Sequence, residues 1–250
     1  MDLKDISNKA ELDKRISILC DDYKQMLLTM SDNETSYKRA ALLYYWLRDY
    51  KNYLKNEEHF SPRYYPNFQR GNIVNVNLGF NLGSEIGGLH YAVVLANSSR
   101  NNPNLVIAPL TSLKKDKKGL HKTELSLGEE LFFKIQGKYI ALKTSIPNEI
   151  QLLKQDVINN SDNDASIDRR ITDLTNKVDL LEKTMRKLQT LKHGSIVEMS
   201  QIRTVSKMRV SDPTDVYDIL YGLKLSNNAL DKIDAKLAQL YINTLTTKQP

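Results

Sequence analysis

Residues able to do chemistry gather in this chain where strand-like stretches begin and end. His90 opens the apolar run Tyr91 to Ala96, Thr111 and Ser112 close the run Leu105 to Leu110, and Arg203 lies in the later stretch SQIRTVSKMRV, Ser200 to Val210. A basic loop, Lys114 to Lys122 with Lys114, Lys115, Lys117 and Lys118, follows Ser112, and Ser84 with Glu85 sits among Gly79, Gly83, Gly87 and Gly88. An imidazole titrates near neutral pH and can take a proton from a ribose hydroxyl or return one to a leaving oxygen. Hydroxyls can donate to a phosphoryl oxygen as charge builds there, and a guanidinium can pair bidentately with phosphate. Together these residues form a set suited to a phosphodiester. Each also has a bland use: a histidine or a Thr-Ser pair at a strand end is often structural, Arg203 can bridge a carboxylate, and a lysine run is usually a solvated loop. No HExxH, CxxC, GxxxxGK[ST] or nucleophile-elbow pattern occurs, and His59, His90, His121 and His193 are scattered. Neither a metal nor a cofactor is expected.

The scaffold that must hold these groups reads as β-structure. Ile73, Val74, Val76 and Leu78 alternate loosely with Asn72, Asn75 and Asn77, the pattern of a half-buried strand. The crowded glycines mark a loop that needs positive φ or close backbone approach. Tyr91 to Ala96 and Leu105 to Leu110 predict two buried strands joined by the Asn- and Ser-rich turn Asn97 to Asn104. Thr123 to Leu127, Leu131 to Ile135 and Tyr139 to Lys143 suggest further strands, the last two turned by Gly137-Lys138.

The rest is helical. From Asp2 to about His59 there is neither Gly nor Pro, and Ile16, Leu19, Cys20, Tyr23, Met26, Leu27 and Met30 recur at helical spacing. Ser31-Asp32-Asn33 interrupts, and a second helix carries ALLYYWL, Ala41 to Leu47, so residues 1–62 form a helical hairpin that needs a partner surface. Cys20, the single cysteine, excludes an intramolecular disulfide and is expected in the core. The prolines of SPRYYPN, Ser61 to Asn67, mark a boundary, and residues 68–250 form the β-domain, interrupted by a helical hairpin at 147–193. There Glu149 to Ile158 is the first arm and Asn159 to Ala165 the turn. Ile167, Ile171, Leu174, Val178, Leu181, Met185 and Leu188 give the second arm a coiled-coil-like heptad seam. Ser226 to Ile242 predicts a closing amphipathic helix capped by Ser226, with Leu230, Ile233, Leu237, Leu240 and Tyr241 on its buried face. The fold class is α+β.

The formal charge of +6 arises from 36 basic and 30 acidic residues. This modest excess leaves a polyanionic partner and a merely lysine-rich surface equally open. No apolar stretch approaches the roughly 20 residues that span a bilayer, and MDLKDISNKAELDKR is no signal peptide. A cytoplasmic protein without a membrane partner is expected.

The order RGxIVxV, GSEIGG, AVVLAN, VIAPLTS and QIRTVSKMRV, followed by an amphipathic helix, resembles the MazF/PemK toxins of bacterial type II toxin-antitoxin systems. The likeness covers about Arg70 to Ile242, without the hairpin at 147–193. It implies a small SH3-like β-barrel, as in MazF, PemK and CcdB, that is usually a homodimer. The implied activity is metal-independent cleavage of single-stranded RNA, with 2′-hydroxyl attack giving a cyclic phosphate and a 5′-hydroxyl. An acidic antitoxin typically threads the same groove, and the pair binds DNA. Thr111 stands at the family's phosphate-facing threonine, Ser84 and Glu85 in its glycine loop, and Gln201, Arg203 and Thr204 in its QIRT strand. His90-Tyr91 departs from the usual Arg-Pro, whose arginine is the family's principal catalytic residue.

On this reading His90, Thr111 and Arg203 are the catalytic set, and Ser84, Glu85, Ser112, Lys114, Lys115 and Gln201 contact substrate. The alternative is a non-enzymatic toxin or interaction module of the same fold, either CcdB-like or a nuclease whose site has decayed. The added helices enlarge the core or a dimer interface, or else form a regulatory, antitoxin-like module.

Overall fold

The computed structural model describes residues 2, 4–114, 116–159 and 164–242. The chain divides into two compact units, Met1–His59 and Phe60–Pro250. The first is a pair of antiparallel helices of equal length, α1 (Lys9–Ser31) and α2 (Glu34–Asn56). Asn33 caps α2 by accepting from the Thr35 N–H at 2.9 Å. Ala40 is the one buried residue of the two helices, and Cys20 is exposed. The expectation that Cys20 is core therefore fails, because two helices alone provide no third layer to cover its position.

The second unit is built on β1 (Ile73–Asn77), β2 (Leu89–Val94), β3 (Asn104–Ser112), β4 (Glu124–Gly128), β5 (Ser195–Glu198), β6 (Arg203–Ser206) and β7 (Val210–Asp212). The antiparallel strands follow the order β4-β5-β3-β2-β1-β7. The long β3 pairs with β5 through Leu110–Ser112 and with β6 through Asn104–Ile107. A short 3-10 turn, Lys207–Arg209, carries the chain from β6 to β7, and the pairings leave the sheet open between those two strands. One face buries Val74, Val76, Ala92, Ile107 and Val205, and the other buries Ile73, Val93, Leu110 and Val197. This second face is covered by α5 (Asn227–Tyr241) through Ala229, Leu230 and Ile233 and by α3 (Glu130–Ile158) through Leu131 and Ile135. Ser226 caps α5 as expected, accepting from the Ala229 N–H at 3.2 Å. Tyr241 is 58% exposed although its hydroxyl donates to the Met199 carbonyl at 2.6 Å.

The insertion differs from its sequence reading. The strands expected at Leu131 to Ile135 and Tyr139 to Lys143 are the first turns of α3, so the helical hairpin begins at Glu130 rather than Pro147. Leu131, Ile135, Lys138, Leu142, Ser145 and Glu149 follow spacings of four and three and are all buried or half-buried. Pro147 sits inside the helix beside buried Ile146. Because β4 and β5 pair directly, through Gly128 and Ser195 among others, the hairpin leaves and rejoins the sheet at adjacent points.

Its second helix, α4 (Asp164–Thr190), buries Leu174, Leu180 and Thr184. Ile171, Val178 and Met185, three of the seven expected seam positions, are 49%, 37% and 42% exposed. Ion pairs between the arms explain the rotation: Lys177 meets Glu149 and Arg170 meets Asp156, both at 2.7 Å. Of the expected turn, Asn159 to Ala165, Asn159 caps α3, residues 160–163 lie outside the described residues, and Asp164 and Ala165 already belong to α4. No helix among the described residues is long and apolar enough to cross a membrane.

Gly137 tests the helical reading. A Cβ there meets nothing within 4 Å. Gly137→Ala is expected to stabilise the protein by about 0.8 kcal/mol through helix propensity, read by urea denaturation. A strand-to-strand turn would instead lose stability.

Candidate active site

The register between β2 and β3 pairs Val94 with Ile107, Val93 with Ala108 and Ala92 with Pro109. The pairing ends there, two residues short of His90 on β2 and of Thr111 on β3. The His90 ring lies 3.1 Å through Nδ1 from the Leu110 carbonyl oxygen. A carbonyl only accepts, so Nδ1 carries the proton and Nε2 keeps a free lone pair in the neutral ring. His90, Thr111 and Ser112 line one cavity of about 220 Å³, and Leu131, Leu191, Lys192 and Ser195 complete its wall.

Leu131, Leu191 and Lys192 belong to the roots of the inserted hairpin, so the insertion walls the candidate site. Sequence reading missed Lys192, which brings a cation to the cavity. Its only signal was a basic dipeptide, Lys192-His193, at the point where α4 returns to the sheet. Outside the wall, His193 stacks on Phe132 with ring centroids 4.0 Å apart.

Arg203 is placed elsewhere. Its strand partner is Ile107, four residues before Thr111 on β3, or about 13 Å along the strand. Its Nη2 donates to Gln201 Oε1 at 2.9 Å. The same Gln201 oxygen accepts from the Ile86 N–H at 3.0 Å, and Gln201 Nε2 donates to the Ser84 carbonyl at 3.1 Å. Gln201 and Arg203 thus fasten the glycine loop that presents Ser84 and Glu85, both exposed. The close approach in that loop demands glycine: a Cβ at Gly87 would lie 2.6 Å from the Gly79 carbonyl oxygen. Lys114 is exposed just beyond β3, and Lys115 lies outside the described residues.

A second group of charges sits at the far end of β4 and β5. Glu124 and Glu198 are directly paired across the two strands, and Lys117 bridges to Glu124. Burial first, and then the neighbouring Glu124, push the Glu198 carboxyl up to about 7. Its folded value lies above its unfolded value of about 4.5, so the stability it contributes is complete below that pH and lost as pH rises through 7. Glu124, held low first by Lys117, acts below the same window. Glu198→Gln is expected to retain, between about pH 5 and pH 8, stability that the parent loses. Urea midpoints at the two pH values check this.

Residues 69–144 match the family described as PemK-like, MazF-like toxin of type II toxin-antitoxin system. The match opens just before β1 and ends inside α3. It contains Ser84, Glu85, His90, Thr111, Ser112 and Lys114, whereas Gln201, Arg203 and α5 lie beyond it. This part of the chain is similar to that family, with a helical hairpin before it and a second one between β4 and β5. No curated protein matches the chain.

Proposed function

We propose that the β-domain is an endoribonuclease toxin that cleaves single-stranded RNA without a metal. The observation that carries this reading is the His90 ring, oriented by the Leu110 carbonyl and lining one cavity with Thr111 and Ser112. His90 Nε2 accepts the 2′-hydroxyl proton as O2′ attacks the adjacent phosphorus; the O2′–P bond forms and the P–O5′ bond breaks. The products are a 2′,3′-cyclic phosphate and a 5′-hydroxyl, whose oxygen takes up a proton, delivered by the imidazolium or by water. Thr111 and Ser112 donate to the non-bridging oxygens, and Lys192 supplies the positive charge that an arginine at position 90 would have given.

Arg203 is a positioning residue in this scheme, acting through Gln201 on the glycine loop. Ser84, Glu85, Lys114, Lys115 and Gln201 shape substrate binding. The second unit carries 26 basic and 19 acidic residues, which suits both RNA and an acidic antitoxin. In this reading the sheet, open between β6 and β7, is an SH3-like barrel domain that pairs with a second copy, and the protein works in the cytoplasm. Incubation with a long single-stranded RNA in EDTA should give fragments bearing cyclic phosphate and 5′-hydroxyl ends. Intact RNA would refute the activity.

A further inference from the structure

The N-terminal unit is short of a core. Among the described residues of 1–59, fourteen large apolar or aromatic side chains are exposed, against the single buried Ala40. On α1 they form a continuous line: Leu12, Ile16, Leu19, Tyr23 and Met26 recur at spacings of four and three and are 43%, 48%, 57%, 42% and 40% exposed. Beside them an apolar groove of about 560 Å³ runs between α1 and α2, walled by Leu19, Tyr23, Leu27, Leu28, Tyr44 and Leu47 among others. Spacing of this kind is the seam of helices packed knobs-into-holes, and among the described residues of this unit none covers it.

We infer that this face receives a second copy of the same chain, the two α1–α2 hairpins closing into a four-helix bundle with α1 antiparallel to its copy. Three observations choose this occupant. The charge of residues 1–59 is nearly balanced, ten basic against eleven acidic, whereas residues 60–250 hold the whole positive excess. A surface awaiting a polyanion or an acidic peptide would be basic; a self-complementary one must carry both signs.

The helices are also long enough. At 23 residues each, α1 and α2 run about 35 Å, and a face two helices wide covers about 600 to 700 Å² per copy, the size of a standard stable interface. Finally, charge selects the register. With Ile16 against the copy's Leu19 and Leu12 against its Tyr23, Arg15 on the flank meets the copy's Asp22, and the two-fold axis repeats the pair. The register one heptad along would set Asp22 against itself. Arg15 now pairs with Glu11 on its own helix, a contact with both side chains more than half exposed that is readily exchanged.

This assembly goes beyond the nuclease reading, and its test uses no RNA. The full chain is followed by sedimentation velocity, with circular dichroism to confirm that helix content is kept. Leu19→Glu is expected to halve the mass of the assembly where the hairpin and the β-domain join different copies, and to weaken association measurably where they join the same two. Arg15→Asp and Asp22→Arg, each alone, should weaken association about tenfold, and the double exchange should restore it to within about twofold. Several results would overturn the proposal: a monomeric parent, an assembly indifferent to Leu19→Glu, or single exchanges that the double exchange does not rescue. A monomeric parent would mean that the chain's own second unit covers this face. Association only on adding an acidic protein would assign the face to that partner instead.

Discussion

His90→Ala is expected to lower kcat/KM for single-stranded RNA about 10³-fold, within the range that a positioned acid or base contributes. The loss should fall on kcat, because the imidazole acts on the proton that moves in the transition state rather than on the strand as it binds. His90 is only partly buried, so the melting temperature should change little. His90→Gln sharpens the experiment. Its amide can still donate to the Leu110 carbonyl, 3.1 Å from the native ring nitrogen, yet it accepts no proton at neutral pH. Activity lost in both variants places the chemistry at Nε2. Activity kept in the glutamine variant would reduce His90 to a strut. Growth arrest by either variant without RNA cleavage would move the protein to the class of toxins that act by binding.

The same site shows what was legible in the sequence. Short apolar runs bounded by Asn, Ser and Gly placed β2 and β3, because a fully buried strand needs little beyond such a run and its turns. Family order pairs His90 and Thr111 as candidates, but only the fold brings them to one cavity. Arg203 was grouped with them since it shares a strand motif, QIRT, with the family. Four residues of β3 separate its partner Ile107 from Thr111, a distance no motif encodes. Lys192 was invisible for the opposite reason: it reaches the cavity through the return of a long insertion, and no local pattern announces where such a chain comes back.

The insertion was misread through its period. Leu131-Phe132-Phe133 and Tyr139-Ile140 are apolar runs that serve a buried strand or one side of a helix equally well, and Gly137 between them imitates a turn. On α4 the strongest apolar repeat predicts the inward face, although Lys177 and Arg170 turn toward the other arm to meet Glu149 and Asp156. Tertiary charge pairing overrode hydrophobic periodicity there. Further down, Lys187 sits with Nζ 4.8 Å from the centre of the Tyr91 ring, again spending an inward position on a lysine whose stem packs while its head meets an aromatic face.

Two isoleucines of the hairpin turn this difference into numbers. Ile135, fully buried between α3 and the sheet, packs in the core formed with Leu131, Val197, Leu220 and Ile233. Ile135→Ala removes its buried methyl and methylene groups and leaves a cavity that the surrounding strands cannot collapse, so the expected cost is about 3 kcal/mol. In a unit of this size that lowers the melting temperature by about 6 to 12 °C. Ile171→Ala is the same chemical change at a position the apolar repeat ranks just as highly, but Ile171 is 49% exposed and should cost under about 0.5 kcal/mol. Urea denaturation of the two variants side by side separates the alternatives. Equal losses would mean that Ile171, not the Arg170–Asp156 and Lys177–Glu149 pairs, faces the other arm. A small loss at Ile135 would detach α3 from the sheet, and with it the wall that Leu131 gives the His90 cavity.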